Sequence, residues 1–298
     1  MSGAGGPSDR PAPAHGGNAA AHLLPAVARL RAAGVPDPVG DARRLLAHAL
    51  NLAPDRLTLH MGDAVPADAA ARLAALIAER ARRRPVSHLT GQRLFWGRQF
   101  AVTADVLDPR PETETLIAAA LAAPWNRVLD LGTGSGAILL TLLAERPPSQ
   151  GAGVDLSLAA LDVARGNAEA LGLRDRATFV ASDWWAAVTG RFDLIVSNPP
   201  YIADTEISAL SAEVREWEPR MALVPACDDG TGLAAYRVIA AGALAHLAPG
   251  GHMMVEIGPT QADAVAAILT QAGLCDAQVA HDMDARPRIV TARAPQGA

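Results

Sequence analysis

The sequence predicts an α/β protein: a Rossmann-like, doubly wound sheet of seven strands, preceded by a small N-terminal helical bundle and joined to it by a β-hairpin. Three observations carry this. From Trp125 onward, short apolar runs alternate with helical stretches, the rhythm that builds a parallel sheet. A tight glycine loop, Gly132-Thr133-Gly134-Ser135-Gly136, follows the first of these runs. Between about Asn18 and Arg84, by contrast, apolar residues recur at helical spacing.

At 298 residues, 50% of them hydrophobic, the chain is long enough for one large or two ordinary domains with a sizeable core. The formal net charge of -5 argues against bulk electrostatic binding of nucleic acid, although a local basic patch stays open. All 26 basic residues are Arg, which excludes a Schiff-base lysine and a P-loop lysine. Cys227 and Cys275 belong to no CxxC or Cys/His cluster. No metal site and no disulfide framework are therefore expected, and a reducing cytoplasm fits. No apolar run reaches the ~18 residues of a membrane span. Residues 1–17 are rich in Gly, Pro, Ala and Ser without an apolar core, and read as a disordered tail rather than a targeting peptide.

In chain order, residues 18–84 read as amphipathic helices. Their apolar positions are Leu23, Leu24, Val27 and Leu30, then Ala42, Leu45, Leu46 and Leu50, then Leu73, Leu76 and Ile77, with Pro36, Pro38, Pro54 and Pro66 as punctuation. The basic end, Arg80 and Arg82–Arg84, fits a solvated helix face or a contact with RNA or an acidic partner. Residues 85–108 read as a hairpin linker, with a strand-like stretch from Phe95 to Val102. In Asp108-Pro109-Arg110-Pro111-Glu112-Thr113-Glu114 the prolines impose rigidity, and the two Glu suit either a helix dipole or a ligand. Residues 109–298 form the second domain. Its strands are read at 127–131, 151–155, 177–181, 192–197, 252–257, 277–280 and 288–292, and Ser157 is placed to cap the helix after the second.

The ends of these strands carry the chemistry. Gly132, Gly134 and Gly136 are spaced GxGxG rather than GxGxxG, and Asp155 ends the next strand, where a carboxylate can accept both hydroxyls of a ribose. Together they indicate an adenosine-type ligand without saying which. Asp183 and Trp184, after the third strand, fit an adenine pocket, with a structural Trp as the alternative. The fourth strand ends in Asn198-Pro199-Pro200-Tyr201. Two prolines hold φ near -65° and press their predecessors toward extended geometry. The segment offers an Asn side-chain oxygen, the Pro199 carbonyl and an aromatic face, which suits a planar group bearing an NH2. The same four residues also fit an ordinary turn. A nicotinamide enzyme would more often need a donor such as a Tyr/Lys pair, which a chain without Lys does not supply.

Gly132–Gly136, Asp155 and Asn198–Tyr201 resemble the class I S-adenosylmethionine-dependent methyltransferases that act on amino groups. Residues 85–91 (PVSHLTG), 109–114 (PRPETE), 218–223 (EPRMAL), 229–233 (DGTGL) and 256–258 (EIG) narrow the resemblance to the release factor glutamine methyltransferases of the HemK/PrmC type, over roughly residues 20–293. The resemblance implies S-adenosyl-L-methionine as cofactor, contacted by Gly132, Thr133, Gly134, Ser135, Gly136, Asp155, Trp184 and Asn198, to which the reading of the third strand's end adds Asp183. It implies that Asn198, Pro199, Pro200 and Tyr201 receive the substrate, the Gly-Gly-Gln glutamine of bacterial class I release factors, with Asn198, Pro199 and Tyr201 catalytic. It also implies that the helical domain recognises the release factor, with a monomer and no DNA or membrane partner expected. Asp108 and Leu94 depart from the family pattern, which usually has an apolar residue and a Glu there. Rival readings are a ribosomal-protein glutamine methyltransferase, an adenine-N6 nucleic-acid methyltransferase, and a non-catalytic module of the translation machinery.

Overall fold

The computed structural model describes residues 17–297, so the tail expected over residues 1–17 lies, apart from Gly17, outside the described residues. The chain divides into two units, Met1–Thr90 and Gly91–Ala298.

In the first unit Asn18 caps α1 (Ala19–Ala32) by accepting from Ala21 N at 3.0 Å, and Asp37 caps α2 (Pro38–Ala49) through Gly40 N at 2.9 Å. α3 (Ala67–Ala81) and the short α4 (Val86–Thr90) follow, so the start of the stretch read as a linker is helical. Leu30, Leu45, Leu46, Leu57, Leu73 and Ile77 make the core. Leu24, expected on the apolar face of the first helix, is 77% exposed. The buried face runs through Ala19, Ala26 and Leu30 with Leu23 packed beside it, and Leu24 lies about 100° further round the helix than Leu23. Much of the arginine run is tied up within the unit. Buried Arg80 donates from Nε to Asp41 at 2.8 Å, Arg82 and Arg84 pair with Glu79 at 3.1 and 3.7 Å, and Arg83 reaches the Gly34 carbonyl at 2.9 Å.

The second unit opens with a hairpin of β1 (Gln92–Phe95) and β2 (Arg98–Ala101). Its two turn residues, Trp96 and Gly97, both have positive φ (48° and 72°), as a type I′ turn requires. Seven strands then build one sheet: β3 (Arg127–Leu131), β4 (Gln150–Asp155), β5 (Ala177–Ala181), β6 (Phe192–Ser197), β7 (Leu247–Glu256), β8 (Cys275–His281) and β9 (Pro287–Arg293). Their spatial order is β5-β4-β3-β6-β7-β9-β8. All are parallel except β9, which runs antiparallel to both its neighbours. The alternating pattern predicts a parallel sheet, from which β9 departs. The link between β8 and β9 is only residues 282–286, too short for a crossover helix, so the chain must turn back.

Period-2 alternation along the central strands sorts the core into two layers. Val128, Leu194 and Val196 face α5 (Glu114–Ala122) and α6 (Ala137–Glu145), packing on Leu116, Ile117, Leu139 and Leu142. Leu129, Leu131 and Ile195 face α9 (Ala234–His246) and α10 (Ala262–Gln271), packing on Tyr236, Ile239, Val265 and Leu269. α7 (Leu158–Ala170) follows β4 and is capped by Ser157 Oγ, which accepts from Ala160 N at 3.2 Å. The segment between β6 and α9 holds α8 (Ala212–Trp217). No helix among the described residues is long and apolar enough to cross a membrane.

Candidate active site

Because the chain runs from β3 outward to β4 and β5 and then returns to β6 and β7, the strand order reverses between β3 and β6. In open α/β sheets a crevice forms at that reversal, outside the carboxyl ends of the strands. Leu131 and Ser197 are in register there, and Ser197 Oγ donates to the Leu131 carbonyl at 2.7 Å. The residues that follow them, Gly132 and Asn198, are thereby held side by side.

A cavity of about 660 Å³ opens at this point, within the usual range of small-molecule sites. Gly132–Ser135, Asp155, Asp183, Trp184, Asn198 and Pro200 all line it. Gly136 does not; it starts α6, packed against Leu140 and Ala164. Gly132 and Gly134 have φ of 71° and 54°, and a Cβ on either would meet nothing within 4 Å, so the loop leaves open space beside its backbone. Asp155 is half-buried. Its carboxylate accepts from Gly134 N and Ser157 N, both at 2.9 Å, which fixes the glycine loop and leaves lone pairs for two further donors. Trp184 sits at φ 46°, a strained position for a tryptophan, held by Ser182 Oγ donating to its carbonyl at 2.8 Å. Asp183 is exposed at the cavity wall.

The four residues Asn198–Tyr201 are divided between two cavities. A smaller one of about 260 Å³ is lined by Tyr201, Glu112, Glu256 and Arg288, and it shares Asn198, Leu107, Arg110 and Ala222 with the larger. Asn198 therefore stands between them, Pro200 faces the larger, Tyr201 the smaller, and buried Pro199 lines neither. Among the described residues none donates to Asn198 Oδ1 or to the Pro199 carbonyl. Asn198 Nδ2 donates to Thr113 Oγ1 at 3.3 Å. Burial pushes the Tyr201 phenol well above its ordinary range, so it stays protonated. Its carbonyl accepts from Gln261 Nε2 at 2.9 Å.

Several contributors escaped the sequence reading. Asp130, one residue before the end of β3, is fully buried, and burial raises its carboxyl to about 7 although Thr133 Oγ1 donates to it at 2.7 Å. Glu218 is buried where the segment before α5 meets the segment after α8; it accepts from Arg110 at 2.8 Å and from Asp108 N at 3.1 Å. Thr113 and Glu256, inside the stretches PRPETE and EIG, meet beside Asn198. A carboxylate at or one residue before the end of an otherwise apolar strand was the available signal for Glu256 and Asp130. Of the two Glu before α5, Glu114 accepts from Trp96 N at 3.0 Å and Glu112 lines the smaller cavity. Asp108, the departure from the family pattern, is buried and paired with Arg93 at 3.5 Å, while Leu94 is 62% exposed.

Comparison with known proteins places the fold and the family. Residues 104–214 match the family described as "Methyltransferase small domain". A methyltransferase from Pyrococcus furiosus has the same fold, with a TM-score of 0.53 at 16% identity, covering 73% of this chain and 98% of that one. The fold is that of a Rossmann-like, class I methyltransferase. Residues 23–91 match the family described as "PrmC N-terminal domain". A release factor glutamine methyltransferase of Cereibacter sphaeroides is 57% identical over 277 residues, 93% of this chain and 99% of that one. Another, from Rhodospirillum rubrum, is 48% identical over 268 residues, covering 89% and 82%. The chain belongs to the release factor glutamine methyltransferase family.

Proposed function

We propose that this protein transfers a methyl group from S-adenosyl-L-methionine to the side-chain amide nitrogen of the glutamine in the Gly-Gly-Gln motif of bacterial class I release factors. The observation that carries the reading is Asn198, whose side chain stands between a cavity large enough for a nucleoside cofactor and a smaller one suited to a side chain. The relatives' names give the substrate class. The helical unit, residues 18–84, is read as the part that recognises the release factor.

The larger cavity fits the cofactor: the open space at Gly132 and Gly134 and the free lone pairs of Asp155 suit a ribose, and Trp184 and Asp183 suit an adenine. When bound, the cofactor supplies an electrophilic methyl on a sulfonium; the amide lone pair forms the new N–C bond, the C–S bond breaks with its electron pair on sulfur, and the nitrogen's proton leaves to solvent. An amide nitrogen is a poor nucleophile because its lone pair is delocalised, so the protein must supply position and charge stabilisation. Asn198 Oδ1 and the Pro199 carbonyl accept from the substrate NH2. As the nitrogen attacks, its hydrogens become more acidic and these bonds strengthen, which favours the transition state over the ground state. Tyr201, a neutral phenol at working pH, packs on the amide plane and orients it.

The test is mass spectrometry after incubation with labelled cofactor and release factor, with ribosomes and DNA in parallel. Methyl label on the Gly-Gly-Gln glutamine, and none when that glutamine is replaced, is the expected result. Asn198→Ala should lower turnover by roughly 10²–10³-fold, the range for removing one preorganised polar contact. Label on ribosomal protein or DNA alone would overturn the assignment.

A further inference from the structure

The two ends of an Asn amide have nearly the same shape, so turning it over exchanges acceptor for donor. For an incoming NH2 the difference decides the outcome: Oδ1 receives it, and Nδ2 opposes it. Something must hold Asn198 the right way round.

Thr113 is 4% exposed, on the turn Pro111–Thr113 just before α5, and its Oγ1 accepts from Asn198 Nδ2 at 3.3 Å. Glu256, 1% exposed at the end of β7, lies beside the same hydroxyl, and its buried Oε2 has no hydrogen-bond partner of its own among the described residues. β7 lies beside β6 with Val255 in register with Ser197, so Glu256 follows the strand end as Asn198 does. A hydroxyl has one hydrogen to give. Given to a carboxylate, that hydrogen leaves Thr113 Oγ1 only as an acceptor toward Asn198, and only the NH2 end of the amide satisfies it.

We propose that Thr113 and Glu256 are positioning residues forming a relay that holds the Asn198 amide with its oxygen toward the substrate NH2. This rests on the reading that the substrate is an amide nitrogen. The direction of the relay depends on the charge of Glu256. A protonated Glu256 donates to Thr113, which is then free to donate to Asn198 Oδ1 and to turn the Asn NH2 against the substrate NH2. Burial pushes the Glu256 carboxyl up to about 7. Thr113, Arg288 on β9 and Arg110 pull it down, and Glu112 pushes it up; the phenols of Tyr201 and Tyr236 also face it. Arg288 is itself paired with Asp282 at 3.2 Å. The competent state has Glu256 ionised, so activity falls as pH drops through its value near 7.

The experiment measures kcat and KM on release factor across pH 5.5–9 for the wild type, Thr113→Val, Thr113→Ser and Glu256→Gln, with cofactor affinity by calorimetry. Thr113→Val should lower kcat by about 10- to 100-fold, the loss typical of a misplaced catalytic group, with cofactor affinity changed less than about twofold. Thr113→Ser should recover most of it, and Glu256→Gln should abolish the acidic limb of the kcat profile. Wild-type kcat in Thr113→Val, an unchanged acidic limb in Glu256→Gln, or equal losses in Val and Ser variants together with lost cofactor binding would each overturn the relay alone. A wild type that binds cofactor but leaves release factor unmethylated would overturn the substrate reading and the relay with it.

Discussion

Asp130 stands one residue before the end of β3, Glu256 closes β7, and the fold buries both carboxyls. Asp130 has one satisfied oxygen, Oδ2 on Thr133, and one, Oδ1, without a partner. Desolvation is the main cause of its raised value near 7, with the charge of Asp155 a smaller one. The folded protein therefore holds a proton between pH 4 and 7 that the unfolded chain, with an ordinary carboxyl, has released. By linkage, stability contributed by this group is greatest at low pH and falls as pH rises through that window. Asp130→Asn is neutral at every pH and removes one such contribution. The slope of Tm against pH between 5 and 8 should become less negative by up to about 1.4 kcal/mol per pH unit, each kcal/mol being worth roughly 2–4 °C. Thermal melts of the cofactor-free wild type and variant check this, and parallel curves would show that Asp130 titrates normally. The sequence shows a carboxylate near the end of an apolar strand, but not that the residue would be sealed in, because sealing depends on how α6 lies over β3.

Among the elements, two loops converge on the backbone of Tyr201, one after β7 and one before α9. Gln261, after β7, donates to its carbonyl and accepts from Gly258 N at 3.0 Å. Asp228 accepts from Gly232 N at 2.8 Å and so shapes the loop before α9. Gly232 has φ 68°, and a Cβ there would drive into the Tyr201 carbonyl oxygen. Gly230 in the same loop has φ 85° but open space around its missing Cβ. Gly230→Ala should therefore cost only backbone strain, about 1–3 kcal/mol, and leave kcat near wild type. Gly232→Ala should cost at least that and lower kcat as well, because Tyr201 must shift. Urea unfolding and turnover measured side by side decide it; equal kcat in the two variants would break the link between this loop and the site. Strands and strand ends were legible because apolar runs stop abruptly at Gly, Asp or Asn. The pairing of Thr113 with Asn198 and Glu256 was not. Nothing in a single sequence relates positions so far apart until the order β3-β6-β7 brings their ends together.

For the whole molecule, the division of labour between the two units makes a separable prediction. Every residue lining the larger cavity, from Phe95 to Ala226, lies in the unit Gly91–Ala298. That unit also has its own two-layered core on either side of the sheet. The helical unit has a separate core and its own buried ion pair, Arg80 with Asp41. If the helical unit serves substrate recognition, the isolated segment 91–298 should bind S-adenosyl-L-methionine within about threefold of the full chain, a change of less than ~1 kcal/mol. Its kcat/KM on release factor should fall by about 100-fold or more, which corresponds to ~3 kcal/mol of lost substrate binding. Calorimetry with the cofactor and turnover with release factor, run on the segment and the full chain together, separate the outcomes. Undiminished kcat/KM in the segment would show that the helical unit does not recognise the substrate. Loss of cofactor binding with a preserved far-UV spectrum would show that the glycine loop and Asp155 do not suffice to hold the nucleoside.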